Sequence, residues 1–528
     1  MTMTDSITPE KSRQSAGAGA VGSWSVVAAV EVASLALMIG SGAVAWLVGI
    51  FTRGYDYDEV LRAHSIWLTS RGLRPYLDFF EVHPPYFVLL SPVFRVFADP
   101  VDAIRALRVT TALGNVVFLG ALVRLGAMSL SAEVSKRWAW LGIAAVAFNP
   151  FILDYLVEFR IDGWGYAAIA WSTVVYCRGR GKRGMIRILT FGLVTAFASA
   201  LLSPKMVLLP PLIMAFDLIG RFESWRGLVR SGIAYLAGVG LAASLFLAYL
   251  WLNGIGLERT ILLLGRYHAM SNAHAGFRYG LFGQVVLMRT LLGLIVAGAA
   301  GWAWNRLRRR KRGGPYEPAL AVWLAAQMLL VSYPYKQYYA PWFLFASGFV
   351  PSAGPILGGV LKGGRGVVYI LACVLSMQGS YQIARFWAGT GVAASENAMI
   401  RWMNKVSSPE DRVIGSPPYH PIRREDTFFL SFNTSDPKGF DSERIFEELP
   451  GLRPFVTEDH YRAELEAHPP ALVVLRSPVF AVTHPSRQRA IVEKFMLSRG
   501  YRTVRVGVVW FALRPDRYDQ ARRVGDLE

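Results

Sequence analysis

Residues 83–97 read His-Pro-Pro-Tyr-Phe-Val-Leu-Leu-Ser-Pro-Val-Phe-Arg-Val-Phe, and whether this run crosses a membrane decides how the whole chain is arranged. It is apolar, but at about fifteen residues it falls short of the roughly 20 that a helix needs to cross a bilayer. It opens on His83-Pro84-Pro85 and carries Pro92 and Arg95 inside it. Counted as a span, it inverts every later loop and places the basic clusters outside. Read as an interfacial or re-entrant helix on the outer side, it leaves them inside.

That choice matters because the chain has about eleven runs that read as spans: 26–50, 104–123, 138–152, 163–177, 188–203, 206–220, 231–252, 281–304, 318–333, 340–360 and 366–384. The composition agrees, with 53% hydrophobic against 18% charged residues, too apolar a balance for a soluble chain of 528 residues. With the N-terminus cytoplasmic, alternate loops hold most of the positive charge. They carry Arg124, Lys136 and Arg137, then Arg178 to Arg187, then Arg221 to Arg230, then Arg306 to Arg312, then Lys362 and Arg365. The short loops between them hold Arg160, Lys205 and Lys336. This asymmetry is the positive-inside pattern, so the net charge of +19 reads as topology and not as a nucleic-acid footprint.

The expected fold is therefore an α-helical polytopic membrane protein with a small C-terminal α/β soluble domain. Residues 1–25 read as a disordered cytoplasmic tail and 26–385 as the membrane domain, with a long first outer loop at 51–103. Residues 386–528 read as a soluble domain on the periplasmic or extracytoplasmic face, with strands at 471–475 and 504–513 and a helix at 486–499. The first apolar run is too long for a cleaved signal peptide and stays as a span; Glu31 inside it faces the bundle or the interface. Cys177 and Cys373 read as small packing residues with no disulfide between them.

Three clusters of polar residues gather on the outer face. The first runs from Tyr55-Asp56-Tyr57-Asp58-Glu59 through Arg62, Arg74, Asp78 and Glu81 to His83. The second is Glu158-Phe159-Arg160-Ile161-Asp162, and the third Tyr333-Pro334-Tyr335-Lys336-Gln337-Tyr338-Tyr339. The ordinary reading is an interfacial girdle of aromatics with solvated acids. The functional reading is that carboxylates at a bilayer edge are opposed by cations that tune them. Lys205 in Ser203-Pro204-Lys205 reads either as a snorkelling residue or as a ligand for an anion, and Lys336 either as a cation–π partner or as such a ligand. His268 and His274 lie in a second outer loop with no metal-ligand spacing.

The Asp58-Glu59 pair, followed about twenty-five residues later by Pro84-Pro85-Tyr86-Phe87, resembles the GT-C-fold glycosyltransferases. The nearest likeness is to family 39 and its aminoarabinose-transferase-like branch. Asp162 after the third span and Tyr338-Tyr339 followed by Pro341 fit the same order. The resemblance implies a sugar carried on a polyprenyl phosphate and passed to a lipid, glycan or protein acceptor at the extracytoplasmic face of an inner membrane. It makes Asp58 the catalytic position, with Asp162 sharing or positioning and Glu59 orienting. Where many members have Lys before the first proline, this chain has His83.

The chemistry stands apart from the likeness. A carboxylate can take the acceptor's proton, cations can stabilise the leaving phosphate, and a single displacement inverts the anomeric carbon. Cations on the outer side are Lys205, Lys336, His83, Arg74, Arg160 and Arg278, with Tyr338 and Tyr339 beside them. No cofactor motif is present, and a divalent metal stays open because some members of the fold use one. The rival reading is a transporter or flippase, which calls for mid-bilayer polar residues and broken helices in related halves.

Overall fold

The structure, a computed structural model, describes residues 26–79, 81–129, 136–178, 184–220, 224–266, 285, 288–309, 314–331, 335–353, 365–415, 417–427, 458–476 and 486–523. Helix α1 spans Val26–Thr52, α2 Tyr57–Ser70, α3 Phe87–Leu90, α4 Pro92–Val96, α5 Pro100–Ser129, α6 Lys136–Ala147, α7 Pro150–Val157 and α8 Asp162–Arg178. There follow α9 Met185–Leu201, α10 Leu209–Gly220, α11 Trp225–Leu252, α12 Leu257–Ile261, α13 Arg289–Arg309, α14 Tyr316–Leu330, α15 Lys336–Ala346 and α16 Arg365–Thr390. The C-terminal domain adds α17 Val392–Val406, β1 Arg412–Ile414, β2 Glu425–Asp426, α18 Glu458–Ala467 and β3 Leu472–Arg476. It ends with α19 Ser486–Ser498, β4 Arg502–Val506, β5 Val509–Leu513 and α20 Pro515–Arg523.

Val26–Thr52, Pro100–Met128, Trp225–Leu252 and Val367–Thr390 are each long and apolar enough to cross a membrane. The pair Arg137–Ala147 and Pro150–Val157, bent by 78°, makes a fifth if counted as one span. The other expected spans fall on shorter helices, and two of them shift. The run expected at 206–220 begins with a 3-10 turn at Pro204–Met206 and becomes helical at Leu209, and that expected at 340–360 is helical from Lys336 and turns 3-10 at Ser347. Residues 83–97 form only the short helices α3 and α4, which meet at Ser91 and together are shorter than a bilayer needs. The first loop also holds a helix the sequence reading left out, α2, whose start is fixed by a capping box. Asp56 accepts from the Asp58 N–H (3.1 Å) and Glu59 accepts from the Asp56 N–H (3.0 Å).

The sharp bend between α6 and α7 has a local cause. Pro150 has no N–H to continue the helix, and the Asn149 side chain caps the new start through the Phe151 N–H (3.1 Å). The bend carries Asp154 and Glu158 to the same end of the bundle as Asp58. Helices α9 and α11 pack through glycine: a Cβ on Gly238 would overlap the Leu189 carbonyl, and one on Gly192 the Tyr235 carbonyl. Glu31 faces the bundle through Arg137 (2.8 Å), and Cys177 and Cys373 are both buried, with no disulfide between them.

The C-terminal sheet has the order β2-β1-β3-β5-β4, with β1 parallel to β2 and β3 and the other pairs antiparallel. The single strand expected at 504–513 is broken by a turn at Gly507, whose φ of 58° suits glycine. Helix α16 runs on to Thr390, past the boundary expected at 385. The domain is joined to the long loop after α1 and to the start of α5 by one continuous core that includes Val60, Ile66, Phe87, Ile104, Met399, Ile400, Tyr419, Ile422 and Phe511. Arg401 pairs with Asp99 (2.6 Å), and Arg423 donates to the Phe94 carbonyl (2.9 Å).

Gly238→Val is expected to force α9 and α11 apart. The cost should be at least the ~1–3 kcal/mol of an overpacked core, read as a lower unfolding temperature of purified protein in detergent, whereas Gly240→Val, which meets open space, should leave it unchanged.

Candidate functional site

The site is built from the ends of four segments: the start of α2, the α7–α8 turn, the turn after α9 and the start of α15. At its base lies Glu59, with 0 % exposure. Arg108 from α5 grips both its oxygens (2.8 Å each), Arg53 adds a third contact (3.0 Å), and the Phe159 N–H donates at 2.7 Å. Arg108 also donates to the carbonyls of Arg53 (2.8 Å) and Gly54 (2.9 Å). The guanidinium fork thus closes the chain end of α1 onto the start of α2. Burial would raise the Glu59 carboxyl, but Arg108 overrides it and holds the group down at about 2.

Above this base the charges alternate. Asp58, with 24 % of its side chain exposed, accepts from Arg160 (3.0 Å) and Arg62 (3.4 Å). Arg160 also bonds Glu158 (2.5 Å). Lys336 lies 3.0 Å from Asp56, 3.1 Å from Asp154 and 2.9 Å from Glu158, and Arg53 reaches Asp154 at 2.7 Å. Asp162 pairs with Lys205 (3.1 Å), which also donates to the Gln337 carbonyl (3.2 Å) and lies over the Tyr338 ring. His83 Nδ1 sits 2.7 Å from Glu81, and its Nε2 lies beside Arg62 (3.5 Å). Burial pushes the Asp58 carboxyl up, yet Arg62 and Arg160 win and hold it below its ordinary range. At Glu158 burial wins, and the group is raised.

A cavity of about 900 Å³ opens beside this network. Its walls are apolar residues of α9, α10 and α11, including Ala196, Pro210, Leu236, Val239 and Phe246. Its polar end is made by Arg62, His83, Asp162, Lys205, Gln337 and Tyr338. Burial, reinforced by Arg160 and Arg62, lowers the Lys205 ammonium, with Asp162 opposing. An apolar trough ending in cations suits an amphiphile with an anionic head.

The structure brings together Asp58, Arg160, Asp162, Lys205, Lys336, His83, Tyr338 and Glu59, but it changes several expected roles. Glu59 is wholly enclosed by arginines and main chain, so it positions α2 and does not face a substrate. Lys336 is held by three carboxylates and Arg160 is 2 % exposed against Asp58 and Glu158, and neither lines the cavity described above. Arg74 lies apart, paired with Asp78 (3.0 Å) and reaching the Asn253 carbonyl (3.4 Å). Tyr339 is half-buried near Lys336 and does not line the cavity, whereas Tyr338 does. Arg278, His268 and His274 lie outside the described residues.

Sequence reading missed Arg53, Arg108 and Asp154. Arg108 and Asp154 each interrupt an apolar run, and an ionisable residue inside such a run is itself the signal. Oxygens of Asp56, Asp58 and Glu158 come within 4.8 Å of one another and could hold a cation. Lys336 and Arg160 already bond those oxygens, so a divalent ion there would compete with an ammonium and a guanidinium.

Arg108→Met leaves Glu59 charged and buried without its main partner. The expected loss is ~3–5 kcal/mol, seen as a fall in unfolding temperature larger than that of Arg74→Met at the exposed Asp78 pair.

No family model and no curated sequence matches the chain. Among solved structures it is similar to ArnT from Cupriavidus metallidurans in the apo state, with a TM-score of 0.58 at 12% identity, over 92% of this chain and 98% of that one. It is similar also to the same protein bound to undecaprenyl phosphate, with a TM-score of 0.56 at 14% identity, over 90% of this chain and 97% of that one. The match runs through both the helical bundle and the C-terminal domain. The chain therefore has the GT-C-type fold that its first-loop motifs resemble, a polytopic membrane bundle with a small α/β domain at its C-terminal end.

Proposed function

We propose that this protein is a membrane glycosyltransferase that moves a sugar from a polyprenyl-phosphate donor to an acceptor hydroxyl at the extracytoplasmic face, with inversion. The observation that carries the proposal is the 900 Å³ apolar cavity whose polar end is Arg62, His83 and Lys205, one side chain away from Asp58. The relative that binds undecaprenyl phosphate supports a lipid of that class.

In this reading the lipid chain lies along α9 and α11, and its phosphate sits among Arg62, His83 and Lys205. The acceptor oxygen attacks the anomeric carbon as the bond from that carbon to the phosphate oxygen breaks. The electron pair leaves with the phosphate, and the three cations stabilise the added charge. The hydroxyl becomes acidic only as the new bond forms, so its proton passes late to Asp58, which is ionised but weakly basic beside Arg62 and Arg160. Asp162 holds Lys205 in place until the phosphate arrives. The candidate charges sit at one end of the bundle and not at its middle, which favours transfer over transport.

Purified protein in lipid, given polyprenyl-phosphate sugars and candidate acceptors, tests this. Asp58→Asn should lower turnover by about 10²–10⁴-fold with donor binding intact. Lys205→Ala should weaken donor binding about tenfold or more, the worth of one bond to a charged group. A folded Asp58→Asn protein with full turnover sinks the mechanism, and transport without transfer replaces it with the flippase reading.

A further inference from the structure

Helix α2 presents Asp58 and Arg62 to the mouth, and its opposite side is held by the C-terminal domain. His64 lies two residues after Arg62, about 200° further round the helix. It is 2 % exposed and points into the turn that follows His420. Its Nδ1 lies 2.8 Å from the Ile422 carbonyl and its Nε2 3.1 Å from Asp426 Oδ2. The other Asp426 oxygen lies 3.1 Å from His420 Nε2, and His420 Nδ1 accepts from the Ile422 N–H at 2.9 Å.

The partners assign the protons. His420 accepts a main-chain N–H on Nδ1, so its Nε2 carries hydrogen and donates to Asp426. This makes the ring a poor metal ligand, although donor atoms of His64, His420 and Asp426 lie within 4.8 Å of one another. His64 faces a carbonyl on one side and a carboxylate on the other. Its Nδ1 donates to the Ile422 carbonyl, and its Nε2 edge lies against Asp426.

The surroundings are built around this chain of bonds. Ile422 is held at φ 66°, a left-handed conformation that a β-branched residue rarely adopts, and there both its N–H and its carbonyl meet a histidine. The His420 ring fills the space a Cβ on Gly415 would need. Trp67 from the same helix stacks on His64 at 5.6 Å, and the His420 ring lies 4.3 Å away. Among the described residues, the titratable groups set against His64 are Asp426 and His420, and Arg412 reaches only the main-chain oxygen of Asp426.

We propose that His64, Asp426 and His420 form a latch through which the C-terminal domain fixes helix α2, making the three positioning residues for Asp58 and Arg62. Asp426 is held below its ordinary range because His420 and His64 override its burial, and burial together with His64 pulls His420 down to about 4, which keeps it neutral. The effect on catalysis rests on the transferase reading, but the latch itself does not.

Hydrogen exchange of residues 57–70, corrected for intrinsic rates and measured on the full chain in lipid, tests the latch without any assay of activity. His64→Gln and Asp426→Asn should each lower the protection of α2 about tenfold. Asp426→Glu should restore part of it, and Arg499→Ala at the exposed Glu466 pair should match the wild type. If transfer is found, kcat should follow α2 protection while donor KM holds. Unchanged α2 exchange in a folded His64→Gln or Asp426→Asn protein overturns the proposal. So does stoichiometric zinc that is lost in His64→Gln.

Discussion

A carboxylate with no access to water stays charged only if cations and N–H groups replace the water it has lost, and Glu59 is such a group. Arg108, Arg53 and two main-chain N–H groups supply that replacement. Each partner comes from a different stretch, so satisfying one side chain brings the end of α1, the start of α2, α5 and the α7–α8 turn to one point. Asp58 follows from this, because it is the neighbour of Glu59 on the first turn of α2. The site's geometry is to that extent a by-product of one buried charge.

The layers above repeat the constraint. Asp56, Asp58, Asp154, Glu158 and Asp162 are met by Arg53, Arg62, Arg160, Lys205 and Lys336, and none of these five acids lacks a cation within 4.0 Å. Such a network tolerates little displacement, since moving one charge leaves another unpaired in a poorly solvated place. This accounts for the C-terminal domain sharing a hydrophobic core with α2 and α3 instead of hanging from the bundle by a linker.

What the sequence made legible was one-dimensional. Apolar runs and the prolines within residues 83–97 are local properties, and most helices lie near where those predict, with α2 left out. The motifs also placed Asp58, Asp162 and Lys205 on one face. Which cation serves which acid was hidden, because it depends on the 78° bend at Pro150 and on contacts between residues over a hundred positions apart. The three acids that meet Lys336 were hidden in the same way, because they come from two other segments. The division of 504–513 into two strands was local, and Gly507 was its visible sign.

A charge-balanced mouth sets a condition on the proposed reaction. An anionic head cannot enter among Arg62, His83 and Lys205 as a simple addition, since Lys205 already holds Asp162 and Arg62 already holds Asp58. It enters by exchange, taking cations from carboxylates. Asp58 is held below its ordinary range by Arg62 first and Arg160 second, so a phosphate that draws Arg62 away lets its basicity rise. The resting site therefore keeps its base weak, and the donor that needs a base is what strengthens it. Asp162 gains the same freedom when Lys205 turns to the phosphate. The two carboxylates become available only when a lipid phosphate fills the end of the cavity, a coupling built from paired charges alone.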